Sequence, residues 1–148
     1  MLGFDTLYDE SLSDPDYVRI ANEEARTLLT RDRHLLRELR PLRSLEVRHG
    51  APLDQLHQVV VTLQLPAPAK LFTRCMVCNA VLSEPLTAAE AELVVPERVS
   101  GIPGPERQCP VCLRVYWHGS HVRRMRAAIE RTLPGWLNVD AVGLPPPR

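Results

Sequence analysis

The four cysteines of the chain fall into two C-x2-C pairs, Cys75-Met-Val-Cys78 and Cys109-Pro-Val-Cys112. Each pair suits a tight knuckle that presents two thiolates. Two knuckles complete a tetrahedral four-cysteine zinc site, closed and therefore structural rather than catalytic. Two disulfides, unrelated free thiols and a redox C-x-x-C are the competing readings. Paired spacing away from a strand-to-helix junction favours zinc over all of them. A segment this small buries too little surface to fold alone, so the metal would supply its folding free energy. Asn79, after the second cysteine of the first knuckle, tolerates the left-handed backbone often needed there; Leu113, its counterpart, does so less readily.

A second chemistry is carried by carboxylates. The stretch Leu28-Leu-Thr-Arg-Asp-Arg-His-Leu-Leu36 reads as a buried strand that ends in Asp32, where a helix begins. In a parallel α/β sheet, ligands bind at the carboxyl edge of the strands. Asp14, at the start of the preceding helix, can reach the same edge. Oxygen ligands there suit Mg²⁺ or Mn²⁺, and a pair of such ions can clamp the attacking and leaving oxygens of a phosphodiester. The bland alternative is that Asp14 and Asp32 are helix N-caps, a role for which Asp is favoured anyway. Asp5, Asp9, Glu10 and Asp16 are expected to be solvated.

The third group of residues is basic and aromatic. Tyr116, Trp117, His118 and His121 follow the second cysteine pair, and Arg123, Arg124, Arg126 and Arg131 line the last helical pattern. Aromatics among arginines stack bases and hold phosphates, as single-stranded RNA requires. Trp117, Arg123 and Arg124, with Arg31 beside Asp32, are the expected RNA contacts. Equally, Trp117 can pack on the ribbon and the arginines can form a solvated helix face. His118 and His121 are not expected to ligate zinc, because four thiolates already close the site. His34 and His57 read as surface residues, and Trp136 as a packing contact.

These residues need a scaffold. Residues 4–8 look like a short strand. Ser13-Asp14-Pro15-Asp16 starts a helix, with Ser13 or Asp14 as cap and Pro15 in the first turn. Tyr17, Ile20, Ala21 and Ala25 follow at helical spacing. The residues from Thr27 to Thr30 form a strand, those from Asp32 to Leu39 a short helix stopped by Pro41, and Ser44 to His49 an alternating strand. Gly50-Ala51-Pro52 precedes a helix with Leu53, Leu56, Val60 and Leu63 on one face. The β-α-β-α-β-α order predicts an α/β fold with a parallel sheet and crossover helices. Pro66-Ala67-Pro68-Ala69 reads as a linker. The expected domains are therefore 1–65 (α/β), 66–70 (linker), 71–133 (zinc ribbon and C-terminal helix, capped by Ser120, with Val122, Met125, Ile129 and Leu133 inward) and 134–148 (disordered tail).

With 148 residues and 45% apolar composition, a core is possible. Net charge is zero, so global charge announces no nucleic-acid partner. Local charge is uneven: residues 1–16 carry five acids and no Lys or Arg, whereas residues 107–131 carry six arginines and one acid. No apolar run is long enough to span a bilayer, and the N-terminus lacks signal-peptide regions. The expected location is the cytoplasm, where thiols stay reduced.

Taken together, "MLGFDTLYD", "SDPDYVRIANEEARTLLTRDRHLL", "LDQLHQVV" and "RCMVC…CPVCLRVYWHGSHVRRM" resemble the mut-seven C-terminal RNase family, from about Met1 to Leu133. The resemblance implies a PIN-like nuclease domain joined to a zinc ribbon. It implies a metal-dependent endoribonuclease, with Asp14 and Asp32 matching acidic positions and Cys75, Cys78, Cys109 and Cys112 matching the zinc ligands. Two departures follow from the comparison. Such proteins begin with a further strand and helix carrying an early Asp, so the sheet expected here is N-terminally incomplete. They also often carry an acid between the last strand and its helix, where this chain has His49-Gly50-Ala51-Pro52. The competing function is a non-catalytic zinc-ribbon module that binds RNA or protein. The sequence is silent on oligomeric state and RNA target.

Overall fold

The computed structural model of the chain describes residues 1–95 and 106–137. It divides into two compact units. One is Tyr8–Pro66; the other joins Met1–Leu7 to the residues from Ala67 onward.

In the Tyr8–Pro66 unit, helix α1 (Asp14–Glu23) leads to strand β1 (Leu28–Thr30), α2 (Arg33–Leu39), β2 (Ser44–Glu46) and α3 (Pro52–Leu63). Strands β1 and β2 pair in parallel, with Leu28 opposite Ser44 and Thr30 opposite Glu46. The unit is thus the α/β arrangement with crossover helices that the periodicity predicts, on a sheet of two strands. Ser13 caps α1 in a capping box with Asp16, and Pro15 occupies the first turn. Asp14 is therefore the first helical residue and not the cap. The buried face is made by Val18 and Ala21 of α1, Leu35 of α2, Val47, and Val60 of α3. Arg40 and Gln64 close α2 and α3 in the left-handed conformation. The edge of β2 that faces away from β1 is covered by a side chain. The Gln58 amide of α3 donates to the Glu46 carbonyl at 2.7 Å and accepts the Arg48 N–H at 2.9 Å. A single Gln thus supplies the donor and acceptor that a third strand would have offered.

Residues 4–8 do not form the expected strand. Met1–Leu7 instead pack with the cysteine-bearing unit. The Phe72 N–H donates to the Met1 carbonyl at 2.8 Å, and Phe4 stacks on Trp136 with centroids 6.5 Å apart. Gly3 has φ +81°, and a Cβ there would collide with Thr73 Oγ1, so this approach needs glycine.

The same unit contains α4 (Ala88–Val94), β3 (Arg107–Gln108), β4 (Val115–Tyr116) and α5 (Ser120–Thr132). Helix α4, unanticipated among Pro-rich segments, starts with a capping box between Thr87 and Glu90. Helix α5 buries Val122, Ile129 and, just past its end, Leu133, which is the expected inward stripe. Its cap is Gly119 rather than Ser120, with no side-chain cap bond. Residues 134–137, expected to begin a disordered tail, are folded: Leu137 is buried and Trp136 meets Phe4. The remainder of that expected tail, 138–148, lies outside the described residues.

Candidate functional site

The two knuckles are near copies of one another. In the first, the Cys75 N–H bonds the Ala80 carbonyl at 2.8 Å, and the Asn79 N–H returns to the Cys75 carbonyl at 3.1 Å. In the second, Cys109 bonds Arg114 at 2.8 Å and Leu113 returns to Cys109 at 3.0 Å. Asn79 and Leu113 both adopt left-handed backbone, with φ 59° and 60°. Leu113 accepts this conformation despite its side chain because the turn is closed on both sides by hydrogen bonds. The antiparallel pairing of β3 with β4 and the bridge between Arg74 and Val81 hold the two knuckle stems.

The turns bring four sulfurs together. Cys75 Sγ lies 3.5 Å from Cys112 Sγ, and Cys78 Sγ lies 3.4 Å from Cys109 Sγ. All four lie within 4.8 Å of one another. Disulfide sulfurs would be about 2.05 Å apart. Four sulfurs about 2.3 Å from one tetrahedral zinc would be separated by roughly 3.8 Å. The cluster therefore has the donor type and near-tetrahedral compactness of a zinc site. All four cysteines are free of disulfides.

Electrostatics favour thiolates here. The N–H groups of Val77 and Cys78 point at Cys75 Sγ at 3.4 and 3.5 Å, and the Cys112 N–H points at Cys109 Sγ at 3.4 Å. The Tyr116 hydroxyl sits 3.0 Å from Cys75 Sγ and accepts the Met76 N–H at 3.1 Å. Burial opposes ionisation of Cys75, but the Cys78 N–H, Tyr116 and the Val77 N–H bring its thiol down to about 6. The Cys112 N–H likewise lowers Cys109. The Ala80 N–H acts to lower Cys78, yet sharing with Cys109, desolvation and the neighbouring Cys75 and Cys112 together outweigh it and push Cys78 up to about 12. Cys112 is also raised: desolvation and shared protons overcome the Arg114 N–H. Each pair thus holds one thiol shifted toward ionisation and one shifted away from it, and zinc binding displaces the protons that remain. Burial, reinforced by Cys75, raises Tyr116 to about 12, so its hydroxyl stays a donor to sulfur.

Sequence reasoning missed Asp5. Far from being solvated alone, its carboxylate accepts the Asn79 side-chain N–H at 2.6 Å and lies 3.4 Å from Arg74. Arg74 also donates to the Asn79 carbonyl at 3.0 Å. Asp5 thereby buttresses the first knuckle. No short-range pattern announces a contact 74 residues apart. His118 is buried against Phe72, with centroids 5.1 Å apart, and its Nδ1 has no hydrogen-bond partner. Burial, with Arg126 and Arg107 adding to it, holds its imidazole below the usual value. It lies outside the sulfur cluster.

The carboxylates belong to the Tyr8–Pro66 unit. Asp32 caps α2: its Oδ1 accepts the His34 and Leu35 N–H groups at 2.7 and 3.2 Å. Both bonds fall on one oxygen, which leaves Oδ2 for another partner. Asp32 follows the carboxyl end of β1, and its own N–H is held by Thr30 Oγ1 at 3.0 Å. Helix α1 feeds β1 through the short connection 24–27, and Asp14 is its first residue. Both side chains are exposed. The donors are hard oxygens, as Mg²⁺ or Mn²⁺ prefers. Among the described residues, however, the four cysteines are the one group of three or more such side chains close enough to share a metal. Arg31 is exposed beside an open recess of about 400 Å³ lined by Leu29, Val47 and Leu56. In the other unit, Arg123 and Arg124 are exposed on α5 and Trp117 is half-buried.

No described helix is long and apolar enough to cross a membrane. The family model described as Mut7-C RNAse domain matches residues 1–129. No curated protein and no solved structure matches the chain.

Proposed function

The chain belongs to the Mut7-C RNase domain family, and on that footing we propose that it is a PIN-type ribonuclease that hydrolyses phosphodiesters of single-stranded RNA. The observation that carries this reading is Asp32, a carboxylate at the carboxyl end of β1 with one oxygen uncommitted. A bound Mg²⁺ or Mn²⁺ would neutralise phosphate charge and lower the pKa of a water. Such ions are commonly held by one or two carboxylates plus substrate phosphates and waters, which suits a chain that offers two. Asp14 and Asp32 would hold the cation. Arg31 would face the RNA backbone beside them. On the zinc unit, Arg123 and Arg124 would take phosphates while Trp117 stacks a base. The thiolate-bound zinc is structural.

A second reading is favoured by one observation: no third carboxylate joins Asp14 and Asp32 among the described residues. On that reading the chain is a binding module for RNA or protein that does not cut.

The test is Asp32→Asn. Asparagine keeps the helix cap but removes the anionic ligand. Manganese-dependent cleavage of single-stranded RNA should fall by more than about a hundredfold while thermal stability stays within about 1 kcal/mol of the parent. Cleavage that persists in this variant would remove Asp32 from the assignment. If the parent chain cuts no RNA but still binds it, the binding module becomes the function.

A further inference from the structure

The end of β2 carries an arrangement that the carboxylate pair does not use. The Glu46 carboxylate accepts Arg33 Nε at 2.8 Å and lies 3.6 Å from Arg48 Nε. One anion thus serves two guanidiniums. Both approach through Nε, the inner nitrogen, so the terminal nitrogens of each fork are left pointing elsewhere. Exposure agrees with this geometry. The Glu46 side chain is 23% exposed, whereas Arg33 and Arg48 are 74% and 70% exposed. Arg33, Arg37, Leu36 and Glu46 line a recess of about 350 Å³. Two arginines and one glutamate thus line the recess, and Arg48 meets the same carboxylate beside it.

The backbone fixes where this cluster sits. Glu46 pairs in register with Thr30, two residues before Asp32. Arg33 opens the helix that Asp32 caps. Gln58 grips the Glu46 carbonyl and the Arg48 N–H, so the strand end carrying Glu46 and Arg48 is pinned to α3. The cluster and Asp32 therefore share the carboxyl edge of the sheet.

The geometry points to a phosphodiester clamp: Arg33 and Arg48, steadied by Glu46, hold the backbone of single-stranded RNA beside Asp32. This inference rests on the ribonuclease reading and names residues that would position its substrate. A guanidinium anchored at Nε keeps two parallel N–H donors for phosphate oxygens. Anchoring also removes part of the entropy that a free arginine loses on binding. Arg33, Arg48 and Glu46 are positioning residues and take no part in bond making.

The full-length, zinc-loaded chain is titrated with a short fluorescein-labelled single-stranded RNA of mixed sequence, without added magnesium or manganese, across a range of salt. Each phosphate released from contact lowers the slope of log K against log salt by about 0.7 on single strands. Arg33→Gln and Arg48→Gln should each flatten the slope by about that amount and weaken binding alike for all sequences. Arg33→Lys and Arg48→Lys, which keep the charge, should keep the slope while losing affinity to the lost fork. Arg19→Gln, on a side chain tied to Asp16 and Glu23 of α1, should leave slope and affinity as in the parent. Unchanged slopes in both Gln variants would overturn the clamp and leave the ribonuclease standing if the parent still cuts RNA. Equal losses in the Lys and Gln variants without a slope change would reduce both arginines to a structural role and also overturn it. A parent chain that neither binds nor cuts RNA would overturn clamp and ribonuclease together.

Discussion

Tyr116 is the side chain through which the zinc cluster reaches beyond its own ligands. Its hydroxyl is bonded to Cys75 Sγ and fixed by the Met76 N–H. It adds to the N–H···S bonds that make Cys75 the readiest thiolate. Groups that orient and polarise a ligand typically change metal affinity by about 10–100-fold when removed. Tyr116→Phe should therefore weaken zinc binding by about that factor in competition with a colorimetric chelator, with little change in secondary structure. Equal affinity in the two proteins would show that the hydroxyl does not tune the sulfur. The cysteines themselves were legible from spacing alone, because C-x2-C twice over has few other uses. Tyr116 was legible only as an aromatic near the second pair, since a hydrogen bond to a sulfur 41 residues away leaves no local pattern. Asp32 was legible twice, as cap and as strand-end acid. The structure establishes the cap and leaves one oxygen for the other role.

Among the elements, β2 owes its order to a side chain on another segment. Gln58 meets one carbonyl and one N–H of the strand and its extension. The Glu46 carbonyl bond is partly buried and the Arg48 one exposed, and leaving a buried backbone group unsatisfied typically costs about 1–3 kcal/mol. Gln58→Ala should lower unfolding free energy by that amount in urea titration. Gln58→Glu should fall between the two, because it keeps the acceptor for Arg48 and loses the donor for Glu46. A stability loss in Gln58→Ala within a few tenths of a kcal/mol would mean that water replaces both bonds. The helices were legible from different signals: α1 from its cap and Pro15, α2 from the Asp32 cap, and α3 from Pro52 and its apolar spacing, without a side-chain cap. Their boundaries agree to within a residue or two, whereas the strand expected at Ser44–His49 is ordered as strand only at Ser44–Glu46. Residues 4–8 misled because strand-like composition describes any extended segment, and only tertiary partners decide which sheet, if any, it joins. Helix α4 was missed although Thr87-x-x-Glu90 is a capping-box pattern. Its residues are largely exposed, so it lacks the apolar stripe by which helices are usually recognised.

For the molecule as a whole, the two units differ in what holds them. The Tyr8–Pro66 unit has helices on a parallel strand pair and a small apolar core. Around the cysteines, the buried cluster is Cys75, Leu82 and Cys109, with Ala80, Cys112 and Tyr116 against it. Half of those six residues are metal ligands, and Tyr116 is bonded to one of them. Structural zinc in small modules contributes roughly 10–16 kcal/mol, comparable to the entire stability of an ordinary domain. Chelating the zinc should therefore unfold residues 67–95 and 106–137 and release Met1–Leu7, while α1, α2 and α3 persist. Amide hydrogen exchange would localise the loss. Protection retained around Cys75–Ala80 after the metal is gone would contradict this. The division at Pro66 coincides with a Pro-Ala run visible in the sequence. The grouping of residues 1–7 with the zinc unit was not legible, because it depends on contacts with Phe72, Thr73, Asn79 and Trp136 rather than on any feature of the segment.

That grouping has a temporal side. As the polypeptide leaves the ribosome, residues 1–7 emerge well before the segments they will pack against. The intervening Tyr8–Pro66 stretch is continuous and can fold as soon as it is out, an insert completed inside a host still waiting for its other half. Closing the outer unit then means bringing Asp5 to Asn79 across 74 positions. Loop-closure entropy grows only logarithmically with length, and a folded insert shortens the loose tether further. Nascent chains should thus acquire protease resistance in two stages, the inner stretch first and the leading residues last.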